Sequence, residues 1–179
     1  MPHRILTADF FNRASPVVAQ DLIGKFLVGG VGERQIAHLI TEVEAYGGEH
    51  DMSSHARVGL TKRNQVMFGP PGHWYVYFIY GRHHCLNIVT EKEGTASAVL
   101  IRAVDGICGP GKIGRAYTIN MSLYGKKAVP KNKLWIEDRG LRLRNGRLRI
   151  KKTPRVNVGG DETAKKKRWR FVLTKLTPR

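Results

Sequence analysis

The stretch WYVYFIYGRHHCLNIVTEKEGTASAVLIRAV, residues 74–104, has the clearest β-strand pattern of the chain. It contains three runs that are rich in β-branched and aromatic residues, and such runs are typical of strands. They are WYVYFIY (Trp74–Tyr80), CLNIVT (Cys85–Thr90) and SAVLIRAV (Ser97–Val104). Because the connections between them are short and contain Gly81 and Gly94, the stretch predicts an antiparallel meander.

A further long strand is predicted upstream of the meander. The run QIAHLITEVEAY, residues 35–46, alternates between apolar and polar residues. Period two places Ile36, Ile40, Glu44 and Tyr46 on one side of such a strand, together with Glu42. We therefore expect two carboxylates to share one face with apolar neighbours.

The remaining patterns add short elements to this sheet. PVVAQDLI, residues 16–23, predicts a short helix that opens at a proline, and residues 25–28 predict a strand. LRLRNGRLRI, Leu141–Ile150, predicts a tight hairpin with Asn145–Gly146 as its turn. We expect an α+β fold: a single mixed domain over residues 1–179, built on a curved, mainly antiparallel sheet with a protruding β-hairpin and a few short helices.

The composition predicts a polyanionic partner. The chain has 31 Lys and Arg against 14 Asp and Glu, a formal charge of +17. Such an excess disfavours the compact state unless a polyanion offsets it, and DNA, RNA and anionic lipid are the candidates.

No apolar run is long enough to span a bilayer, and the N-terminal residues lack the apolar segment of a secretion signal. We therefore expect an intracellular protein without a membrane partner. Cys85 and Cys108 do not form a paired framework, and buried thiols are the preferred interpretation.

Metal and phosphate-loop chemistry are not predicted. The seven histidines do not form an H-x-x-x-H or H-E-x-x-H pattern. GPGKIG, residues 109–114, lacks the hydroxyl residue of a phosphate loop, and we interpret it as a turn whose backbone amides could contact a phosphate. We therefore expect no metal and no cofactor.

Carboxylate and aromatic side chains remain as candidates for chemistry. A glutamate at a strand end, such as Glu44, can act as a general base towards water, although most acids on half-buried strands are structural. Aromatic residues in strands mostly belong to the core. However, tyrosines are concentrated in the predicted strands at positions 46, 75, 77 and 80. Nucleobases stack on such rings with about 1–3 kcal/mol per base, so the pattern is also typical of a nucleobase pocket.

Two ordered motifs resemble the alkyladenine (methylpurine) DNA glycosylases. They are TEVEAYGGEHDMSSHA (Thr41–Ala56) and MFGPPGHWYVYFIYGRHHCLN (Met67–Asn87). The resemblance extends to AQDLIGKFLV (Ala19–Val28), VLIRA (Val99–Ala103) and GPGKIGRAYTIN (Gly109–Asn120), and to RVNV and KRWRF near the C-terminus. It covers nearly the whole chain. Chance could hardly supply E-A-Y, the histidine eleven residues after that glutamate and Y-V-Y-x-x-Y-G-x-x-x-C-x-N together.

The resemblance implies an N-glycosyl hydrolase of base excision repair. Glu44 is then the general base that activates water, and Arg102 is the arginine near the catalytic site, where its charge would favour the carboxylate form of the base. An arginine at a sheet edge without a catalytic role remains the alternative for Arg102. The expected activity is that of a monofunctional DNA-3-methyladenine glycosylase, which leaves an abasic site.

The resemblance also assigns the residues that hold the flipped base. Tyr46, His55 and Tyr77 match the pocket residues that sandwich the base and form hydrogen bonds with it, and Asn87 matches the asparagine that narrows the pocket against guanine. Tyr80 matches the wedge that enters the minor groove and fills the vacated stack. Because Tyr77 and Tyr80 are three positions apart, they would face opposite ways on a regular strand.

The basic residues Arg63, Arg82 and Lys112 are expected to contact the DNA backbone. The chain departs from the family pattern at Lys62, where proline is common, and at Asn157, which replaces a glycine. Lys165–Lys167 could contact phosphate or only increase solubility. The expected partner is double-stranded DNA with a damaged purine; we expect a monomer that needs no protein partner, in the cytoplasm or nucleoid of a prokaryote or the nucleus of a eukaryote.

Two alternatives to this interpretation are a non-catalytic basic module that binds nucleic acid and a bifunctional glycosylase. The latter would use a lysine Schiff base and nick the strand. No lysine lies within the Glu44–Tyr46 or Tyr77–Tyr80 segments. Activated water is therefore preferred as the nucleophile.

Overall fold

The computed structural model describes residues 3–31, 34–79, 81–141 and 148–175. Its elements form the predicted α+β fold, with four short helices and ten strands among these residues. The helices are α1 (Ala8–Phe11), α2 (Ser15–Leu22), α3 (Pro110–Ala116) and α4 (Glu162–Lys166). The strands are β1 (Arg4–Ile5), β2 (Phe26–Val31), β3 (Arg34–Gly47), β4 (Trp74–Ile79), β5 (His83–Val89), β6 (Ser97–Val104), β7 (Ile107–Cys108), β8 (Leu134–Asp138), β9 (Leu148–Thr153) and β10 (Arg170–Lys175).

The strands form one antiparallel sheet in the order β1-β8-β2-β3-β6-β5-β4. The predicted meander is β4, β5 and β6, which pair in sequence order. Strand β3 pairs with β2 along its N-terminal part, and its C-terminal part pairs with β6 on one edge and with β10, at Glu42–Glu44, on the other. Therefore β3 is the central strand, and its C-terminal part lies between two neighbours.

A β-bulge changes the faces of β3. The pairing with β6 shifts between Ile40 and Glu42, since Ile40 lies opposite Val104 and Glu42 lies opposite Ala103. The extra residue reverses the alternation. The prediction that Ile40 shares a face with Glu44 is therefore wrong: Ile40 packs in the main core with Val43 and Ala45.

Helix α2 closes the core on one side of the sheet. It begins at Ser15 with Pro16 in its first turn, as predicted, and Val18, Ala19 and Leu22 are buried. A proline fits the first turn because its missing N–H has no helical partner there. The main core also contains Trp74, Phe11 and Phe171, among other apolar residues.

GPGKIG contributes to a helix rather than a turn. Residues 110–116 form α3, which packs against β5. A Cβ atom at Gly111 would lie 2.8 Å from Cγ of His83, and one at Gly114 would overlap the carbonyl of His84. These glycines therefore permit close packing of helix on strand.

Two sequence predictions fall partly outside the described residues. The turn Asn145–Gly146 is one of them; the strand after it is β9, whose described partner is β10. The other is Tyr80, the residue that follows β4 in the sequence. Within the described ranges, none of the helices has the length and apolar character needed to cross a membrane.

Candidate active site

A cavity of about 450 Å³ opens between the sheet and the loops that follow β3 and β9. Five of the site residues that the resemblance indicated line it, and each comes from a different segment. They are Tyr46 on β3, His55 in the loop after β3, Tyr77 on β4, Asn87 on β5 and Arg102 on β6. The antiparallel order of these strands brings together residues that are far apart in the sequence.

Glu44 lies directly beneath this cavity and is fully buried. Its Oε2 accepts a hydrogen bond from the Tyr46 hydroxyl at 2.8 Å and a longer one from Nη1 of Arg102 at 3.4 Å. Its Oε1 accepts one from the backbone N–H of Val156 at 2.7 Å. All three donor residues line the cavity, so Glu44 is held by the groups that form the cavity wall.

Glu42 and Glu44 are linked through Arg102. Nε of Arg102 lies 2.9 Å from Oε1 of Glu42, and Nε of Arg170 lies 2.7 Å from the same oxygen. Burial opposes the charge on Arg102, but Glu44 and Glu42 outweigh it and raise the pKa of the guanidinium. Arg102 therefore stays charged between the two carboxylates.

The tyrosine hydroxyls of the cavity stay protonated. Burial raises the pKa of Tyr46 far above its ordinary value, and the neighbouring Glu44 carboxylate adds to this. Burial also raises the pKa values of Tyr75 and Tyr77. Each hydroxyl is consequently a neutral hydrogen-bond donor at physiological pH.

His55 forms the aromatic part of the cavity with two tyrosines. Its Nδ1 lies 2.8 Å from the hydroxyl of Tyr75, and its ring packs edge-on to Tyr77 with centroids 4.7 Å apart. Burial lowers the pKa of His55 to about 4, helped by the charges of Arg63 and Arg57. The imidazole is therefore neutral near pH 7.

Asn87 and Cys85 form the floor of the cavity on β5. Both are buried, and the amide of Asn87 donates to the carbonyl of Tyr75 at 3.1 Å, which fixes its orientation. Burial raises the pKa of the Cys85 thiol, so it is a neutral apolar surface. The expectation of buried thiols holds for Cys85 but is wrong for Cys108, which is exposed on the short strand β7.

The basic residues predicted to contact the DNA backbone lie outside the cavity itself. Arg63 is exposed, and its guanidinium lies 5.5 Å from the ring centroid of Tyr77. Arg82 is exposed at the end of the β4–β5 hairpin and borders a second groove with Arg115. Lys112 is exposed on α3. The groove of Arg82 shares His83 and Gly111 with the cavity, and Lys112 directly follows Gly111.

The structure adds three residues that sequence reasoning missed. Asp51 and Arg155 form a fully buried ion pair behind the cavity, and the Val156 N–H holds Glu44. The RVNV motif was the available signal for Arg155 and Val156, although it did not indicate what they contact.

The backbone conformation at Asn157 suits both the glycine of the family pattern and the asparagine of this chain. Its φ is +51°, in the left-handed region that favours glycine, and asparagine is among the side chains that tolerate it best. Because Asn157 lines the cavity, its carboxamide forms part of the cavity wall.

No group of three or more His, Cys, Asp or Glu side chains is placed to hold a metal ion in the described part of the chain. The absence of a metal and of a cofactor stays a prediction from the sequence.

The fold and the site together define a class of protein: an α+β domain in which an aromatic cavity lies over a buried carboxylate. Comparison with known families gives a match to the family described as methylpurine-DNA glycosylase (MPG), over residues 9–109 and 105–177. The chain belongs to the methylpurine-DNA glycosylase family, and its predicted class, a DNA glycosylase of DNA repair, is confirmed.

Three relatives, each named "Putative 3-methyladenine DNA glycosylase", show how far the similarity extends. The chain is 40% identical to the protein of Methanocella arvoryzae over 189 residues, covering 93% of this chain and 91% of the relative. It is 39% identical to the protein of Ehrlichia chaffeensis over 186 residues, covering 99% and 97%. It is 48% identical to the protein of Legionella pneumophila (strain Lens) over 127 residues, covering 67% and 69%.

Proposed function

We propose that the chain flips alkylated purines out of duplex DNA and hydrolyses their N-glycosidic bond with water activated by Glu44, leaving an abasic site. 3-Methyladenine and 7-methylguanine are the proposed substrates, and deaminated or etheno purines extend the range. The observation that carries the proposal is a fully buried carboxylate held by three donors beneath an aromatic cavity. The cavity volume of about 450 Å³ lies in the range of small-molecule sites.

The hydrogen bonds of Glu44 leave room for a water molecule. A carboxylate oxygen has two lone pairs, and Oε1 accepts a single hydrogen bond, from Val156, within the part of the chain that the structure describes. A water on the second lone pair would lie next to the cavity wall. Its oxygen attacks the anomeric carbon, its proton passes to Glu44, and the bond to the purine breaks with its electron pair on the base.

The aromatic cavity suits a cationic leaving group. Alkylation at N3 or N7 makes the purine positively charged, so the base leaves as a neutral molecule and needs no proton donor. A cationic ring beside Tyr46 and Tyr77 gains about 0.5–2 kcal/mol of cation–π attraction. Neutral lesions require a proton on the leaving base, and the neutral His55 is a poor source of it near pH 7.

The remaining residues are proposed to recognise the base and the duplex. His55 and Tyr77 contact the flipped base, and Asn87, whose amide is fixed by the Tyr75 carbonyl, narrows the cavity against the guanine amino group. Tyr80, outside the described residues, is proposed as the wedge. Arg63, Arg82 and Lys112 are proposed to contact phosphates.

The test compares Glu44→Gln with Glu42→Gln, which removes the same charge two residues away on the same face of β3. Base release is measured in single turnovers on duplexes that carry one 7-methylguanine or one hypoxanthine, and DNA binding is measured separately. We expect Glu44→Gln to lower the release rate by about 10²–10⁴-fold while binding is retained. Glu42→Gln should cause a much smaller loss.

Three outcomes would contradict the proposal. Equal rates for Glu44→Gln and wild type would exclude Glu44 as the base. Binding without base release by the wild-type protein would identify a non-catalytic module. A covalent DNA adduct trapped by borohydride would indicate a lysine Schiff base instead of water.

A further inference from the structure

A buried ion pair joins the segments that surround the cavity. The side chains of Arg155 and Asp51 are both 0% exposed, with Nη1–Oδ2 at 2.5 Å and Nη2–Oδ1 at 2.8 Å. The same guanidinium donates to the carbonyl of Ala45 on β3 and to that of Ala164 on α4, each at 3.0 Å. One side chain thus holds the strand of Glu44, the loop after it and the C-terminal region together.

Asp51 extends this connection to the loop that carries His55. Its carboxylate accepts hydrogen bonds from the backbone N–H groups of Gly47 at 3.2 Å and Ser53 at 3.3 Å. The hydroxyl of Ser53 in turn donates to the carbonyl of Gly159, which also lines the cavity. Because Ser53 and Gly159 both line the cavity, this hydrogen bond joins the loop after β3 to the loop after β9.

Arg155 also supports the ring of Tyr46. Its guanidinium lies 4.8 Å from the centroid of Tyr46 and 5.3 Å from that of Trp169. Nζ of Lys167 lies 4.3 Å from the Trp169 centroid, so cations and aromatic rings alternate from the cavity wall outward. Because Tyr46 lines the cavity and Arg155 does not, Arg155 supports the ring from behind.

Arg155 immediately precedes the residue that holds Glu44. The N–H of Val156 donates to Oε1 of Glu44 at 2.7 Å. Replacing a buried ion pair by apolar residues is often neutral or stabilising, so such a pair is weak evidence for a role in stability alone. The contacts of this pair converge instead on Tyr46 and Glu44.

We propose that Arg155, paired with Asp51, is a positioning residue that holds the Tyr46 ring and the Val156 N–H where Glu44 can activate water against a base stacked on Tyr46. The inference rests on the proposed function of Glu44. It predicts that the chemical step, rather than nonspecific DNA binding, depends on Arg155.

The experiment uses Arg155→Met, Arg155→Lys and the double variant Asp51→Asn/Arg155→Met, which leaves neither charge unpaired. Arg139→Met is the matched control, because Arg139 also pairs with a carboxylate, that of Glu137 at 2.7 Å, and stacks on Phe26 at 4.4 Å, away from the cavity. Single-turnover base release gives two readouts: the rate constant of the folded protein and the amplitude, which reports the folded fraction.

We expect the rate constant to fall by about tenfold to a hundredfold in Arg155→Met and in the double variant, as a misplaced catalytic group would cause. Arg155→Lys should recover part of it, and Arg139→Met should keep the wild-type value. In a Glu44→Gln background, Arg155→Met should lower the residual rate by a smaller factor than it lowers the wild-type rate. Affinity for undamaged duplex should stay unchanged throughout.

A wild-type rate constant with a reduced amplitude in the Arg155 variants would overturn the inference, because it would show a purely structural role. Additive losses with Glu44→Gln would overturn it as well. If Glu44→Gln itself releases base at the wild-type rate, the proposed function fails. If Glu44→Gln is inactive but Arg155→Met and the double variant have the wild-type rate constant, the positioning role alone fails.

Discussion

The charges beneath the cavity differ from the charges around its mouth. Beneath it, the carboxylates of Glu42, Glu44 and Asp51 all contact guanidinium groups, from Arg102, Arg155 and Arg170. Around the mouth, the exposed side chains of Arg57, Arg63, Arg82 and Lys112 form no ion pair with any acid of the described ranges. The buried charges are thus paired with one another, and the exposed cations are available to bind another molecule.

This difference separates two tasks. Paired charges in a low-dielectric interior fix the positions of the groups that they contact. Unpaired cations on a surface attract phosphates and release counterions when the phosphates bind, which makes the binding depend on salt. Substitutions beneath the cavity should therefore change stability and chemistry, while substitutions at its mouth should change DNA binding.

In this comparison, a large loss of stability is expected for Arg102→Met. It leaves the buried Glu42 and Glu44 with one guanidinium partner fewer, and removing one partner of a buried pair costs about 3–5 kcal/mol. Because Arg102 is 18% exposed and Arg170 still pairs with Glu42, we expect the lower end, about 3 kcal/mol. Urea unfolding measures it.

Arg63→Met is the control at the mouth of the cavity and should change the unfolding free energy by no more than about 0.5 kcal/mol. Equal losses for the two arginines would break the distinction between buried and exposed charges.

An intermediate effect is expected for Arg63→Ala on DNA binding. We expect weaker binding to damaged and undamaged duplexes alike, and a slope of log K against log salt that is smaller by about 0.9, the value for one phosphate contact. Titrations at several salt concentrations measure both. Arg34→Ala, at the end of β3 away from the cavity, should leave the slope unchanged; an equal change in both variants would argue against a specific contact at Arg63.

The last effect is a pH dependence of the unfolding free energy through His55. Its pKa is lowered to about 4 in the folded protein by burial and by Arg63 and Arg57, against about 6.5 when unfolded. The unfolded chain therefore takes up a proton first, and stability present above pH 6.5 is lost as the pH falls towards 4.

His55→Asn should flatten this part of the stability profile. The free energy of unfolding in urea is measured for wild type and variant from pH 7 to pH 4. The difference between the two proteins reports the histidine alone, because the other titratable groups contribute equally to both. A difference that does not change with pH would contradict the lowered pKa.

Local patterns predicted most of the elements. The meander, the long strand β3 and the helix that begins with Pro16 in its first turn follow from periodicity and from proline, which act over a few residues. The bulge that places the Ile40 side chain in the core could not be predicted from such local patterns. It depends on how β3 pairs with β6, more than fifty positions away in the sequence.

Only those residues of the candidate site that belong to a family motif could be predicted from the sequence. The resemblance indicated Tyr46, His55, Tyr77, Asn87 and Arg102, which the structure brings to one cavity; their roles stay predictions. The pairing of Asp51 with Arg155 joins residues that are 104 positions apart, and neither periodicity nor composition reports such a contact. Long-range charge pairing was therefore the missing information.

The most direct measurement is a crystal structure of Glu44→Gln bound to a duplex that carries one hypoxanthine. We expect the purine to lie outside the helix in the cavity, against Tyr46 and Tyr77, with its anomeric carbon facing residue 44. A damaged base that remains stacked in the duplex, or that occupies the cavity with its anomeric carbon turned away from residue 44, would contradict the account.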